Sequence, residues 1–425
     1  MKLAALTQNE IIVTLIALSL LLLFAFLFGT LLEKIKGPRV VGEILGGMIL
    51  GGSGLYLLFP DFIGRIFTGY AEEGKVLNIF YQLGLIFLMF LSGYNTDLRL
   101  DRKNMKTIGL VFAGATILPM LGSIPFFAMF EKSYIGSLGN VTAYRIVFAI
   151  GVAITSIPVI SKIFFDMGIM NTKFAGTVLT VSTFQDLVLW ILLNAATRIA
   201  QSGEILLSDM LLTVGITIGI FAVILLISRK VKKIRKTLSA NLFYTLSIVV
   251  LLAATGLLYL AGINIMYSAF IVGFLIKALF GREEEEGKED STSAKTRMKY
   301  LEHISFSFFV PVYFALVGIQ LNVIHGFSWG RFFLFFLIAF GLEFIGTFLA
   351  LLLSKLNTGM KLNFAITMNA RGGPGIVLAT VAYSYNIISL EFFTVLILTT
   401  MLSSMIAGYW LRLQQKKRST VFEEL

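Results

Sequence analysis

The chain is a succession of apolar runs long enough to cross a lipid bilayer, and that feature decides its class. A bilayer core requires about 20 consecutive apolar residues in a helix. Such runs fall near 11–32, 38–58, 75–96, 107–129, 143–165, 173–199, 206–228, 241–261, 263–280, 303–322, 331–354, 361–385 and 389–411, numbered here as spans 1 to 13. Surface-to-volume scaling does not let a soluble protein of this length hide a chain that is 57% hydrophobic and only 14% charged. The first run is too long for a signal-peptide core and lacks a small-residue cleavage site, so it reads as a retained span. The expected fold class is an all-α polytopic membrane protein. Soluble enzymes, disordered chains and disulfide scaffolds are excluded, and the absence of cysteine removes thiolate metal sites and cysteine nucleophiles.

A formal net charge of +11 would point to nucleic acid in a soluble chain. In a membrane protein it tests topology instead, because cytoplasmic loops carry the excess of lysine and arginine. With the segments after spans 1, 3, 5, 7, 9, 11 and 13 placed in the cytoplasm, they hold 27 of the 35 Lys and Arg residues; the other side holds 7, and Arg371 lies within a span. The basic groups include Arg99, Arg102, Lys103 and Lys106, the block from Arg229 to Lys236, and Arg412, Lys416, Lys417 and Arg418 in the tail. The asymmetry predicts an outside N-terminus and a cytoplasmic C-terminus, and nucleic acid is not an expected partner. The segment 281–299, with Glu283 to Glu286 followed by Lys288, is the one long charged linker and reads as a solvated connector.

Two spans are interrupted at their midpoints. Span 5 carries Thr155-Ser156-Ile157-Pro158, and span 12 carries Asn369-Ala370-Arg371-Gly372-Gly373-Pro374-Gly375. Proline removes a backbone donor and clashes with the preceding turn, and glycine loosens the helix. In lipid such breaks are tolerated only where they face protein or line a cavity. Seven spans separate the two breaks, so the broken helices run in opposite directions, and spans 1–6 and 8–13 can form two inverted repeats around span 7. Matched breaks in inverted halves mark the substrate site of secondary transporters.

Ionisable side chains within spans are costly and usually functional. Asp186 sits at the midpoint of span 6 beside Gln185, Glu343 at the midpoint of span 11, and Arg371 in the span 12 break. A carboxylate with an amide carbonyl, the hydroxyls of Thr155 and Ser156, and unwound backbone carbonyls suits a small desolvated cation, and a proton can compete for Asp186. Arg371 requires a counter-charge, and the sequence leaves Glu343 and Asp186 both open as its partner. Glu43 lies nearer the end of span 2, where a helix contact and a transport role are equally supported. His303 and His325 fall near span ends, as interfacial histidines commonly do.

The stretch Gly37-Pro38-Arg39-Val40-Val41-Gly42-Glu43-Ile44-Leu45-Gly46-Gly47 resembles the helix 2 signature of the bacterial monovalent cation:proton antiporter-2 family. Leu83 to Gly93 followed by Thr96-Asp97-Leu98 resembles its helix 3, and Thr155-Ser156 with Pro158, then Gln185-Asp186, resembles its crossing helix and ion site. The resemblance implies a single transporter unit of NhaA-like fold over 1–425, with crossed discontinuous helices, working as a homodimer. Residues 11–96 plus 241–322 would form the dimerisation scaffold, and 107–199 plus 331–411 the moving core. Residues 206–228 would link them, with 281–299 a cytoplasmic loop and 412–425 a cytoplasmic tail. The family's ion-binding aspartate maps onto Asp186 and its break ligands onto Thr155 and Ser156.

Three departures from the family pattern bear on mechanism. Electrogenic relatives carry two adjacent acids where this chain has Gln185-Asp186, a pair that resembles potassium efflux members; those members carry a nucleotide-binding domain not seen in this sequence. Many relatives place lysine in helix 11 three residues before a glycine, where Glu343 precedes Gly346 here. Asn95 stands where the helix 3 signature usually has glutamate.

The expected function is Na+ or K+/proton antiport across a cell (inner) membrane by an elevator motion. Asp186 is the metal-binding group and the single titrating carboxylate, so exchange is expected to be one-for-one and electroneutral. Gln185, Thr155 and Ser156 complete the cation and proton site, Arg371 and Glu343 support it as a charge pair, and Pro158, Gly372, Gly373 and Pro374 break the helices. The partners are monovalent cations, protons, the bilayer and a second copy of the chain, with no cofactor. An organic-anion symporter on the same fold, using Arg371 to bind a carboxylate, is the alternative. An intramembrane aspartyl protease needs two deep aspartates and a serine protease a deep histidine, so an enzyme is not expected; a passive channel would need a filter sequence that does not appear.

Overall fold

The computed structural model describes residues 5–95, 104–170, 172–203, 215, 219, 240–261, 263–280, 294–417 and 422. Ten described helices are long and apolar enough to cross a membrane, corresponding to spans 1–6, 8, 10, 11 and 13. Span 9 is a shorter apolar helix, Ile265–Phe280, and span 12 is two helices, Thr358–Met368 and Gly373–Ser384. Among the described residues there is no strand, only an isolated bridge between Ile135 and Ile388. Span 7 lies outside the described residues except for 215 and 219, as do Thr96-Asp97-Leu98, Arg99, Arg102, Lys103, the Arg229 to Lys236 block, residues 281–293 and Arg418. Two helices outrun their apolar cores: Ala294–Ile304 is a charged helix leading into span 10, and span 13 continues to Lys417. Hydropathy alone does not find such charged extensions.

The chain divides into two units, Met1–Asn95 with Val214–His325 and Thr96–Thr213 with Gly326–Leu425. Each therefore takes one block of spans from either half of the sequence.

In the first unit, span 1 (Gln8–Lys34) starts at a capping box. Thr7 Oγ1 accepts from the Glu10 amide, while the Thr7 amide donates to Glu10 Oε2 at 2.7 Å, which satisfies two otherwise orphaned end groups. Its buried residues, Thr14, Ala17, Leu18, Leu21, Ala25, Gly29 and Leu32, recur at three- and four-residue spacing and form one stripe, leaving large apolar side chains such as Leu15, Leu23 and Phe26 exposed. Lipid is as apolar as leucine, so membrane helices associate by close packing rather than by excluding water. Span 2 (Arg39–Leu50) shows this on two faces. A Cβ on Gly42 or Gly46 would overlap the Phe28 or Phe24 carbonyl of span 1, and one on Gly47 or Gly51 would overlap the Ala315 or Ile319 carbonyl of span 10.

Between those glycines, buried Glu43 accepts from Arg39 Nε at 2.9 Å, in room left by Gly29. Asn95, at the position where the resemblance leads one to expect glutamate, hydrogen-bonds Glu302 from the charged helix before span 10. His303 and His325 are both exposed.

In the second unit an aromatic cluster of Phe130, Tyr134, Tyr144, Phe148, Phe335 and Phe392 lies beside the Ile135–Ile388 bridge, with Tyr134 and Phe392 stacked at 4.4 Å. The Gly136 amide donates to the Ile387 carbonyl at 2.9 Å, tying the span 4–5 loop to the span 12–13 loop. A second apolar cluster holds the other halves of the broken helices, with Ile160 and Phe164 of span 5 and Met360 and Phe364 of span 12 packed around Phe174. The span 5 break is thus clamped on both sides.

The two-faced glycine packing yields a stability test. Gly47→Val must displace the backbone of span 10 and should cost about 1–3 kcal/mol, whereas Gly52→Ala meets nothing within 4 Å. Thermal melting of the purified protein in detergent should show a clear drop for the first and none for the second; equal melting of the two would refute the packing account.

Candidate cation site

The site lies within the second unit, where the two interrupted spans cross. Span 5 runs as Val141–Val152, leaves the helix at Ala153–Ser156, and resumes as Ile157–Asp166 with Pro158 in its first turn. Ser156 caps the second half, its Oγ accepting from the Val159 amide at 3.4 Å. Span 12 stops at Met368 and restarts at Gly373, with Pro374 in the first turn. Gly372 allows the two breaks to approach, because a Cβ there would run into the Ser156 side chain.

Each break exposes carbonyls at the end of one half-helix and amides at the start of the next, and these end groups need partners in a water-poor interior. The two breaks supply one another. The Ser156 amide donates to the Ala370 carbonyl at 2.8 Å, and Thr155 Oγ1 donates to the Met368 carbonyl at 2.6 Å, on the last residue of the first half of span 12. In the other direction, Arg371 Nη2 donates to the Val152 carbonyl at 2.8 Å, on the last residue of the first half of span 5. The same nitrogen donates to the Ala339 carbonyl at 3.0 Å and to Glu343 Oε2 at 2.9 Å.

Arg371 and Glu343 are 1% and 0% exposed, so the pair is fully desolvated. Of the two partners open to Arg371 from the sequence, the structure pairs it with Glu343. Thr155 Oγ1 lies 3.2 Å from Glu343 Oε1, and Gln185 also hydrogen-bonds that carboxylate. Gln185 Nε2 further donates to the Ala115 carbonyl at 3.2 Å and to the Ala153 carbonyl in the span 5 break.

Asp186 stands apart from this network. It is 1% exposed, yet neither carboxylate oxygen has a hydrogen-bond partner among the described residues, and it lines a narrow slot with Ile150, Ile154, Leu189, Trp190, Leu193 and Leu378. Removing a bare carboxylate from water costs many kcal/mol without a compensating partner. A proton or a bound cation would supply that compensation. Gln185 Oε1 is likewise buried and unpartnered among the described residues, and so is Asn369 Oδ1 in the span 12 break. These are neutral oxygens of the kind a hard monovalent cation uses. The described residues contain no group of three or more His, Cys, Asp and Glu placed to hold a metal ion. The sequence reading took Asn369 only as part of a break and gave no role to the carbonyls of Ala115, Ala153 and Val152, which carry no side-chain signal.

Residues 21–414 match the family described as "Sodium/hydrogen exchanger, transmembrane". The chain belongs to this family. Among the relatives of this exchanger-family chain, Cation/H(+) antiporter 17 of Arabidopsis thaliana is 25% identical over 401 residues, which cover 92% of this chain and 47% of that protein. The chain therefore spans about half the length of its plant relatives. A Na(+)/H(+) antiporter of Enterococcus hirae is 23% identical over 93% of this chain and 97% of its own length. The probable Na(+)/H(+) antiporter GerT of Bacillus cereus is 23% identical over 90% and 94%. The solved sodium proton antiporter MjNhaP1 from Methanocaldococcus jannaschii superposes with a TM-score of 0.69 at 18% identity, covering 98% of this chain and all of that one, a likeness of fold. The family is one of exchangers rather than enzymes.

The charge pair at the crossing gives a direct test. Arg371→Met or Glu343→Met alone leaves a desolvated charge without its partner, an expected loss of about 3–5 kcal/mol. The double variant removes both charges and should recover much of that loss. Melting temperatures of the three variants check it; a double variant as unstable as the sum of the singles would show that the pair is not a coupled unit.

Proposed function

We propose that the protein exchanges Na+ or K+ for protons at Asp186, which binds the proton and the metal ion alternately. The observation that carries this reading is one buried carboxylate with no hydrogen-bond partner among the described residues, next to a crossing where Arg371 and Glu343 pair with each other. Gln185, through Oε1, and the Thr155 and Ser156 oxygens complete the cation's shell. Arg371 and Glu343 hold the crossing together as a neutral pair. The relatives' names, cation/H+ and Na+/H+ antiporters, support the same substrates.

With Arg371 and Glu343 neutralising one another, Asp186 is the single exchanging group. One proton then leaves for each monovalent cation bound, and the cycle moves no net charge. Arg371, the group an organic carboxylate would need, already has Glu343 as its counter-charge. The second unit is the moving core and the first the scaffold, so the cycle is an elevator in which Asp186 crosses the barrier neutralised by one ligand or the other. The protein works as a homodimer through the scaffold, in a cell (inner) membrane with its N-terminus outside and its C-terminus in the cytoplasm. It couples cation movement to pH homeostasis.

Proton flux in proteoliposomes, titrated with NaCl and KCl, measures the activity. Asp186→Asn should abolish cation-driven proton flux while leaving the melting temperature and the elution profile unchanged; substantial residual flux would refute Asp186 as the exchanging group. With the membrane potential clamped at a series of values, the wild-type rate should stay constant, and a rate that tracks the potential would refute one-for-one exchange.

A further inference from the structure

Span 4 is not a regular helix. It runs as Met105–Phe112, then a single π-helical turn, Ala113–Ile117, and then Leu118–Gly122, with Pro119 at the start of the last segment. The cause is local. Proline has no amide hydrogen, and its ring clashes with the carbonyl four residues earlier. Here that carbonyl belongs to Ala115. The wider turn, in which the Leu118 amide reaches back to the Ala113 carbonyl, accommodates the ring. Pro119 also leaves the Ala115 carbonyl without its α-helical donor.

That carbonyl is the one that accepts Gln185 Nε2 at 3.2 Å. The turn is held firmly on its other side. A Cβ on Gly114 would come within 2.7 Å of the Gly346 carbonyl and of Thr347 Cα in span 11, and one on Gly346 would lie 3.4 Å from Pro119 Cδ. Ala115 is 0% exposed and Thr116 1% exposed. The turn is thus wedged between span 11 and the Gln185 side chain. Gln185 Nε2 donates to the carbonyls of Ala115 and Ala153, so both hydrogens of the amide are engaged and Oε1 is the end left without a partner among the described residues.

We propose that Pro119 and the π-helical turn it imposes are a positioning device for the cation site, freeing the Ala115 carbonyl to fix the Gln185 amide with its oxygen turned to the ion. Pro119 touches no substrate; it acts through Ala115 and Gln185. This rests on the reading of Asp186 and Gln185 as the ion site. Without the device, span 4 closes into a regular helix, the amide of residue 119 claims the Ala115 carbonyl, and Gln185 loses one of the bonds that orient it.

Pro119→Ala supplies the missing amide and removes the ring, a change that raises intrinsic helix propensity and so does not threaten folding. In proteoliposomes, with proton flux titrated by NaCl and by KCl, it should raise the apparent KM for the cation about fivefold or more while the maximal rate stays within about twofold. In a Gln185→Ala background the same substitution should change KM less than about twofold, because the group it acts through is gone. Gly109→Ala, on the same span in open space, should leave KM unchanged. An unaltered KM in Pro119→Ala, or a rise of equal size in the Gln185→Ala background, would overturn the proposal. Gln185→Asn tests the same bond without touching span 4: its shorter side chain withdraws from the Ala115 carbonyl, so KM should rise, and a wild-type KM would equally overturn it. A failure of the ion-site reading itself shows elsewhere, as cation-driven flux that survives Asp186→Asn.

Discussion

Backbone groups freed within a membrane have no water to turn to, and the second unit is organised around that constraint. Breaking one helix leaves orphaned carbonyls and amides that nothing nearby need satisfy. Breaking two and crossing them lets each supply what the other lacks. The Ser156 amide meets the Ala370 carbonyl, the Thr155 hydroxyl meets the Met368 carbonyl, and the Arg371 guanidinium meets the Val152 carbonyl. Arg371 brings a full positive charge to a carbonyl end that already carries partial negative charge, and Glu343 offsets the remainder at 2.9 Å. The aromatic cluster on one side and the Phe174 cluster on the other then hold the crossing in place.

This matching decides what is left over. A buried arginine and a buried glutamate that pair with each other cancel in charge. Asp186 lies one residue from Gln185, which belongs to the network, and has no share in it. A carboxylate so placed is costly to the fold unless something arrives to neutralise it. The same feature that makes it unfavourable for stability makes it suitable for exchange.

The described spans, the positions of both breaks and the three deep ionisable residues were all legible in the sequence, because hydropathy, proline and isolated charge are strong local signals. The Arg371 partner was not legible: Glu343 and Asp186 lie at the same depth, and only the packing of span 11 against the breaks separates them. Backbone acceptors were not legible either, since the carbonyls of Ala115, Ala153 and Val152 belong to residues with no polar side chain. Charged helix extensions such as Ala294–Ile304 escaped for the opposite reason, as charge hides a helix from a hydropathy scan.

Pro119 and Pro374 share a logic that the sequence displayed without explaining. Each lies four residues after an alanine, Ala115 and Ala370, and in a regular helix each would have to donate to that alanine's carbonyl. Neither can. Both carbonyls accept instead from another helix, Ala115 from the Gln185 side chain and Ala370 from the Ser156 backbone. A proline within a span therefore does more than bend it, because it turns a helix-internal acceptor into one that neighbouring helices can use. In lipid that conversion holds only if the donor is built into the fold, and here Gln185 and Ser156 are neighbours in sequence of Asp186 and Thr155. The two breaks, the π-helical turn of span 4 and the proposed ligands are then linked through the same backbone acceptors, within a few turns of the same unit.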